Sequence, residues 1–139
     1  MIIEFIYEII HFKLKDEVIY REWLCEIAEK EYRIIGSLKF IFVDEERIIK
    51  INRKFLKHFY TTDIITFDSS FLNTISGEVY ISVPTVQKNS ILYSKGIFEK
   101  EINRVIVHGV LHLIGYNDKS EDELRSMRLK EDQYLKYLD

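Results

Sequence analysis

The stretch 105–118, Val-Ile-Val-His-Gly-Val-Leu-His-Leu-Ile-Gly-Tyr-Asn-Asp, limits what this chain can fold into more than any other. From 105 to 114 it is apolar on nearly every side of a helical wheel, which requires a helix in the interior rather than on the surface. One stripe is polar. Glu101, Arg104, His108 and His112 fall at i, i+3, i+7 and i+11, so both imidazoles point the same way from one buried helix. A histidine pair one helical turn apart, about 5.4 Å, can bring two ring nitrogens to a single ion at about 2.0–2.1 Å each. The same pair can instead be two core histidines hydrogen-bonded to carbonyls, and spacing alone does not choose.

The residues after the helix bear on that choice. Gly115 can end the helix in a left-handed conformation and turn the chain back, which would present Asp118 to the same ion. Three protein ligands with one open position is the usual catalytic zinc arrangement, and histidine-histidine-carboxylate also suits non-haem iron. Asp118 has a competing use as a helix N-cap. Asp118-Lys-Ser-Glu121 and Ser120-Glu-Asp-Glu123 are overlapping capping-box patterns. Gly109 costs a helix about 1 kcal/mol relative to alanine, so a packing reason is expected there, such as the close approach of a strand. It also occupies the place where a His-Glu-x-x-His metalloprotease carries its general base, which disfavours that chemistry.

The rest of the chain reads as a layered scaffold. Residues 2–7, 38–43, 63–68 and 77–83 are β-prone, and the loop between the last two resembles a hairpin connection. Helical periodicity runs over about 15–32, with Gly36 as its expected stop, and over about 44–56, burying Ile48, Ile49, Ile51 and Phe55. Further helices follow Pro84, span 98–114, and run from Ser120 to about 138. The unit of strand, helix and strand over 38–68 predicts a parallel pair, and the hairpin an antiparallel one. The expected fold is α+β: a single domain over 1–139, with a four-stranded mixed sheet packed against several helices.

Composition excludes several classes. One cysteine, Cys25, leaves no disulfide framework and makes a reducing compartment the default, so a cytoplasmic protein is expected. The N-terminus lacks a signal-peptide pattern, and no apolar run approaches the ~20 residues of a membrane span. A net charge of −3 is not that of a typical nucleic-acid binder, which is basic. A local basic run survives nonetheless: Arg47, Lys50, Arg53, Lys54 and Lys57, followed by His58, with no acid among them. Positive charge late in a helix also matches the dipole, the simpler account of this cluster.

His108-Gly-Val-Leu-His-Leu-Ile-Gly-Tyr116 closely resembles the signature of the YbeY family of metal-dependent endoribonucleases, the rRNA maturation factors. The family signature continues Gly-Tyr-Asp-His, its final histidine being the third metal ligand. Ungapped alignment puts Asp118 there, a carboxylate in place of an imidazole. Ile51-Asn52-Arg53 with Thr62-Asp63-Ile64-Ile65-Thr66-Phe67 is similar to the family's Leu-Asn…Thr-Asp-Val-Leu-Ser-Phe segment, and Gly77-Glu78-Val-Tyr-Ile81-Ser82 to its Gly-Asp-Ile-x-Ile segment. The family's functional arginine falls at Leu56 here, which leaves Arg53, Lys57 or His58 to take its part in RNA handling.

The resemblance implies a single-strand-specific endoribonuclease acting in ribosomal RNA maturation and ribosome quality control. One Zn²⁺ per chain, held by His108, His112 and Asp118, would activate water against the phosphodiester. Glu78 is the candidate general base, and single-stranded RNA, ribosomal RNA and the ribosome are the expected partners, with no membrane and no DNA. Two alternatives share the metal site: a non-catalytic ribosome-associated module, and a metal-dependent hydrolase of a non-RNA substrate.

Overall fold

The structure, a computed structural model, describes residues 1–56 and 62–139. Four strands, β1 (Ile2–Tyr7), β2 (Ile34–Val43), β3 (Ile64–Asp68) and β4 (Thr74–Ser82), form one mixed sheet in the order β1-β2-β4-β3. β1 and β4 both run parallel to β2, and β3 is antiparallel to β4 at the edge. The described residues also form five α-helices: α1 (Glu17–Lys30), α2 (Glu45–Ile51), α3 (Val83–Tyr93), α4 (Phe98–Ile114) and α5 (Glu121–Leu135). This is the α+β architecture with a four-stranded mixed sheet that the periodicities predict.

Burial explains the strand order. β4 buries Ile75, Val79 and Ile81, and takes a central position between β2 and β3. β3 buries only Ile65 and is left at the edge. The parallel pair expected across 38–68 is therefore corrected: β2 pairs with β4, and β3 reaches the sheet only through its hairpin with β4. Such a hairpin needs a few turn residues, whereas a parallel neighbour needs a crossover.

The two faces of the sheet are unequal. Leu38, Phe40, Phe42, Ile75, Val79 and Ile81 join residues of α1, α3, α4 and α5 in the main core. On the opposite face, among the described residues, Ile41, Val43 and Ile65 cluster with Ile48 and Ile51 of α2, with Phe67 and Tyr80 at the margin. α2 is capped by Asp44, whose carboxylate accepts from the Arg47 amide at 2.8 Å. After Ile51 the helix widens into a π-helical turn, Asn52–Leu56, so the regular helix is shorter than expected. Phe55 is thereby carried out of the core, 58% exposed, and not buried as its periodicity implies.

Gly36 also departs from expectation. α1 ends at Lys30, and Gly36 lies inside β2 beside a register irregularity with β4. A β-carbon there would come within 2.3 Å of the Ser76 Oγ, so glycine is required by the approach of β4 and not by a helix stop. Gly109 meets the expected constraint: an added β-carbon would lie 2.9 Å from Val79 and 3.0 Å from Ile64. This close seat of α4 on β3 and β4 fixes where its polar stripe emerges. Among the described residues no helix is long and apolar enough to cross a membrane.

Candidate metal centre

α4 buries Ile102, Val105, Ile106, Val110, Leu111 and Leu113, leaving the His108 and His112 stripe facing α5 and a cleft. The helix ends in a Schellman turn. Gly115, at φ 123°, donates to the His112 carbonyl at 3.1 Å, and the Tyr116 amide donates to the Leu111 carbonyl at 3.0 Å. This reversal returns the chain so that Asp118 lies beside both imidazoles. Asp118 is not the cap of α5. Ser120 is, with its Oγ accepting from the Glu123 amide at 3.1 Å and the Glu123 carboxylate accepting from the Ser120 amide at 2.9 Å.

Three ligand atoms converge as a result. The Nε2 atoms of His108 and His112 are 3.0 Å apart, and the Asp118 Oδ2 lies 3.3 Å from each. Ligand atoms about 2.0–2.1 Å from a tetrahedral ion are separated by about 3.3–3.4 Å, so a triangle of this size fits one face of such a site. The donor chemistry agrees, since nitrogen, nitrogen and carboxylate oxygen form a borderline set suited to zinc. The three residues could hold one ion, and His108 also lines the neighbouring cleft.

A residue from a distant part of the sequence orients the set. His108 Nδ1 lies 2.7 Å from the Glu131 Oε2, and in the neutral tautomer that donates to this carboxylate the Nε2 lone pair is directed at the triangle. A ligating histidine held by a carboxylate in this way is a recurrent feature of metal sites. Glu131, almost wholly buried in α5, also accepts from Arg104 Nη1 at 2.7 Å, and Arg104 Nη2 donates to Asp132 at 3.0 Å. Burial pushes the Glu131 carboxyl up, but the His108 and Arg104 hydrogen bonds and charges outweigh it and hold it below its usual value. His108 moves the other way. Burial disfavours its charged form, yet Glu131, then Asp118 and Asp63, bring the net shift upward.

Glu131 carried one signal in the sequence. Met127, Glu131 and Tyr134 lie at i, i+4 and i+7 on the buried face of α5, and a carboxylate on an apolar stripe needs partners. Asp63, just before β3, also reaches the His108 cleft, and its burial raises its carboxyl pKa despite the His108 charge and the Asn89 hydrogen bond.

Other sequence candidates lie elsewhere. Glu78 is in the middle of β4, not at a strand start, and lines a cleft on the outer sheet face with Tyr80, because strand residues alternate and Val79 faces α4. The turn carrying Arg53 packs on that same outer face. The structure thus places Glu78, Arg47, Lys50 and Lys54 around the outer cleft and not beside the histidines. Lys57 and His58 lie outside the described residues.

Comparison with known proteins joins this geometry to a family. Residues 8–139 match the model of the family described as Endoribonuclease YbeY. An endoribonuclease YbeY of Karelsulcia muelleri is 43% identical over 127 residues, covering 91% of this chain and 89% of its own. That of Flavobacterium psychrophilum is 40% identical over 134 residues, covering 96% and 94%. A protein of Thermotoga maritima solved in solution superposes with a TM-score of 0.66 at 27% identity, covering 99% of this chain and 88% of that one.

Proposed function

The chain belongs to the YbeY family of endoribonucleases, and we propose from its site that it is a metal-dependent hydrolase specific for single-stranded RNA, acting in ribosomal RNA maturation in the cytoplasm. The observation that carries the reading is the triangle of His108, His112 and Asp118 ligand atoms at the spacing of a tetrahedral face. Ribosomal RNA and the ribosome are the proposed partners, and the single resident ion is proposed to be Zn²⁺. When bound, that cation supplies an activated water at neutral pH and positive charge for a phosphate oxygen.

The chain's own residues have distinct parts. His108, His112 and Asp118 hold the ion, and Asp118 makes the set less neutral than three imidazoles would. Glu131 keeps His108 in the tautomer that frees Nε2. Arg104 balances the Glu131 charge and braces α4 against α5. The adjoining cleft, about 430 Å³, is large enough for a nucleotide and is lined by Asp63, Asn89, Thr85 and Arg128 beside His108. Arg128 keeps a half-exposed side chain at 3.7 Å from Glu131, within reach of an incoming phosphate. Asn89 and Thr85 offer hydrogen bonds to sugar or base.

The reading is tested by metal analysis and RNA cleavage on the same preparations. His108→Ala and Asp118→Ala are expected to lose the ion and at least about a hundredfold in cleavage of single-stranded RNA, of the order expected when a metal-activated nucleophile is removed. Retention of metal by both variants would sink the site. Cleavage of duplex and single-stranded RNA at equal rates would sink the strand specificity.

A further inference from the structure

On the outer face of the sheet, among the described residues, α2 packs on Ile41, Val43 and Ile65 and leaves a cleft beside it. Beyond it three aromatic rings follow one another. Phe55 meets Phe67 edge to face, with centroids 5.4 Å apart, and Phe67 meets Tyr80 in the same way at 5.8 Å. The Lys54 ammonium sits 5.2 Å over the Phe55 ring. Arg47 and Lys50 stand on the same rim, and together these residues bound a cleft of about 490 Å³ with Glu78 at its wall. The carboxylates they contact, Glu8 for Arg47 and Glu46 for Lys50, form solvent-exposed pairs that phosphate can replace at little cost.

We propose that this outer cleft is a second RNA-binding site, holding a single-stranded segment that flanks the bond to be cut. The inference rests on the endoribonuclease reading and extends it to a surface on the opposite side of the sheet from the histidines. Bases stack on Phe55 and against Phe67 and Tyr80, as single-stranded nucleic acid does on aromatic platforms. Arg47, Lys50 and Lys54 take the phosphates along one rim. Glu78 accepts from an exocyclic amine of a base, a use for a carboxylate that faces away from the metal triad. An acidic peptide would satisfy the cations but leave the rings unused and meet Glu78 with like charge. Since β3 is the edge strand between the two faces, RNA can pass round it from one site to the other.

The test compares single-stranded RNA of about four nucleotides with RNA of about 16, the range over which single-strand sites extend. Affinity is read on the intact protein by fluorescence anisotropy across a salt series. The combined Phe55→Ala, Lys50→Glu and Lys54→Glu protein is expected to bind the longer RNA at least about tenfold more weakly. Its log–log salt slope is expected to fall by about 1.4, for two lost phosphate contacts. Cleavage of the short RNA should be unchanged, since none of the three residues borders the metal triad. Phe55→Ala alone, at an exposed site where folding is not at stake, should weaken long-RNA binding with the slope unaltered. Equal long-RNA affinity in wild type and the combined variant overturns the proposal, as does competition by polyglutamate as effective as by RNA. Failure of the wild type to cleave either RNA strikes the enzymatic reading instead, and long-RNA binding still decides the outer site.

Discussion

Two buried carboxylates, Glu131 and Glu31, are built from similar parts and do different work. Glu131 accepts from Arg104 and His108, one helix back. Glu31, at the end of α1, accepts from Lys130 at 2.9 Å, from Tyr116 at 2.7 Å and from the Tyr134 hydroxyl. In both, burial pushes the carboxyl up and its hydrogen-bond donors outweigh that, so both are held below their usual range. The difference lies in what the donors do next. The phenols and ammonium around Glu31 end there and tie α1 to α5 and to the turn after α4. The imidazole on Glu131 has a second nitrogen, and that nitrogen faces Asp118 and His112. A structural lock becomes a site when one of its donors has chemistry left over.

Deleting each carboxylate separates the two roles with the largest effects. Glu131→Ala leaves Arg104 and His108 without their buried acceptor, and a loss of about 3 kcal/mol or more in unfolding free energy is expected by urea titration. Metal should be lost with it. Glu131→Gln keeps the shape and separates the two effects. Its metal affinity, read by chelator competition, should fall about 10–100-fold, the usual cost of removing a carboxylate behind a ligating histidine. Unchanged affinity would reduce Glu131 to a second lock.

Glu31→Gln is the matching experiment on the other side. It exchanges charge-assisted hydrogen bonds for neutral ones, and about 2 kcal/mol of stability should go while metal affinity stays within about threefold. Its pH signature has a definite sign. A carboxyl whose pKa is depressed on folding stabilises the protein above its unfolded value, and that contribution is lost as the pH falls through the folded value. The wild type should therefore lose stability below its ordinary carboxyl value of 4.5 more steeply than Glu31→Gln does. Parallel stability curves for the two proteins over that range would remove Glu31 from the acid response.

The comparison also accounts for what could be read from the sequence. His108, His112 and Asp118 were legible because one helix and one turn carry all three, and helical spacing is a local property. The four strands were legible from β-branched and aromatic runs. Their order was not, because the central place of β4 depends on which strand buries more surface. Glu131 is 23 positions from the imidazole it orients, so only its place on an apolar stripe marked it. Glu78 reads from the sequence as a strand-start candidate base, while strand alternation turns it to the outer face, where Arg47, Lys50 and Lys54 also stand. The π-helical turn that exposes Phe55 has no periodic signature in the sequence at all.

The smallest effect tests whether the two centres are independent. Tyr116 belongs to both: its hydroxyl donates to Glu31, and its backbone lies two residues before Asp118. If the phenol holds the turn in place, Tyr116→Phe should disturb the ligand triangle. The turn has other supports, however. Gly115 and Tyr116 donate to the last carbonyls of α4, and the Glu123 carboxylate accepts from the amides of Lys119 and Ser120. Four hydrogen-bonded backbone amides, those of Gly115, Tyr116, Lys119 and Ser120, bracket Asp118 without the phenol. Tyr116→Phe should accordingly lower stability by about 1.5 kcal/mol, one hydrogen bond to a charged acceptor lost, with metal affinity within about twofold. A fall of more than about fivefold would mean that the lock at Glu31 also positions Asp118, and the two carboxylates would have to be treated as one network.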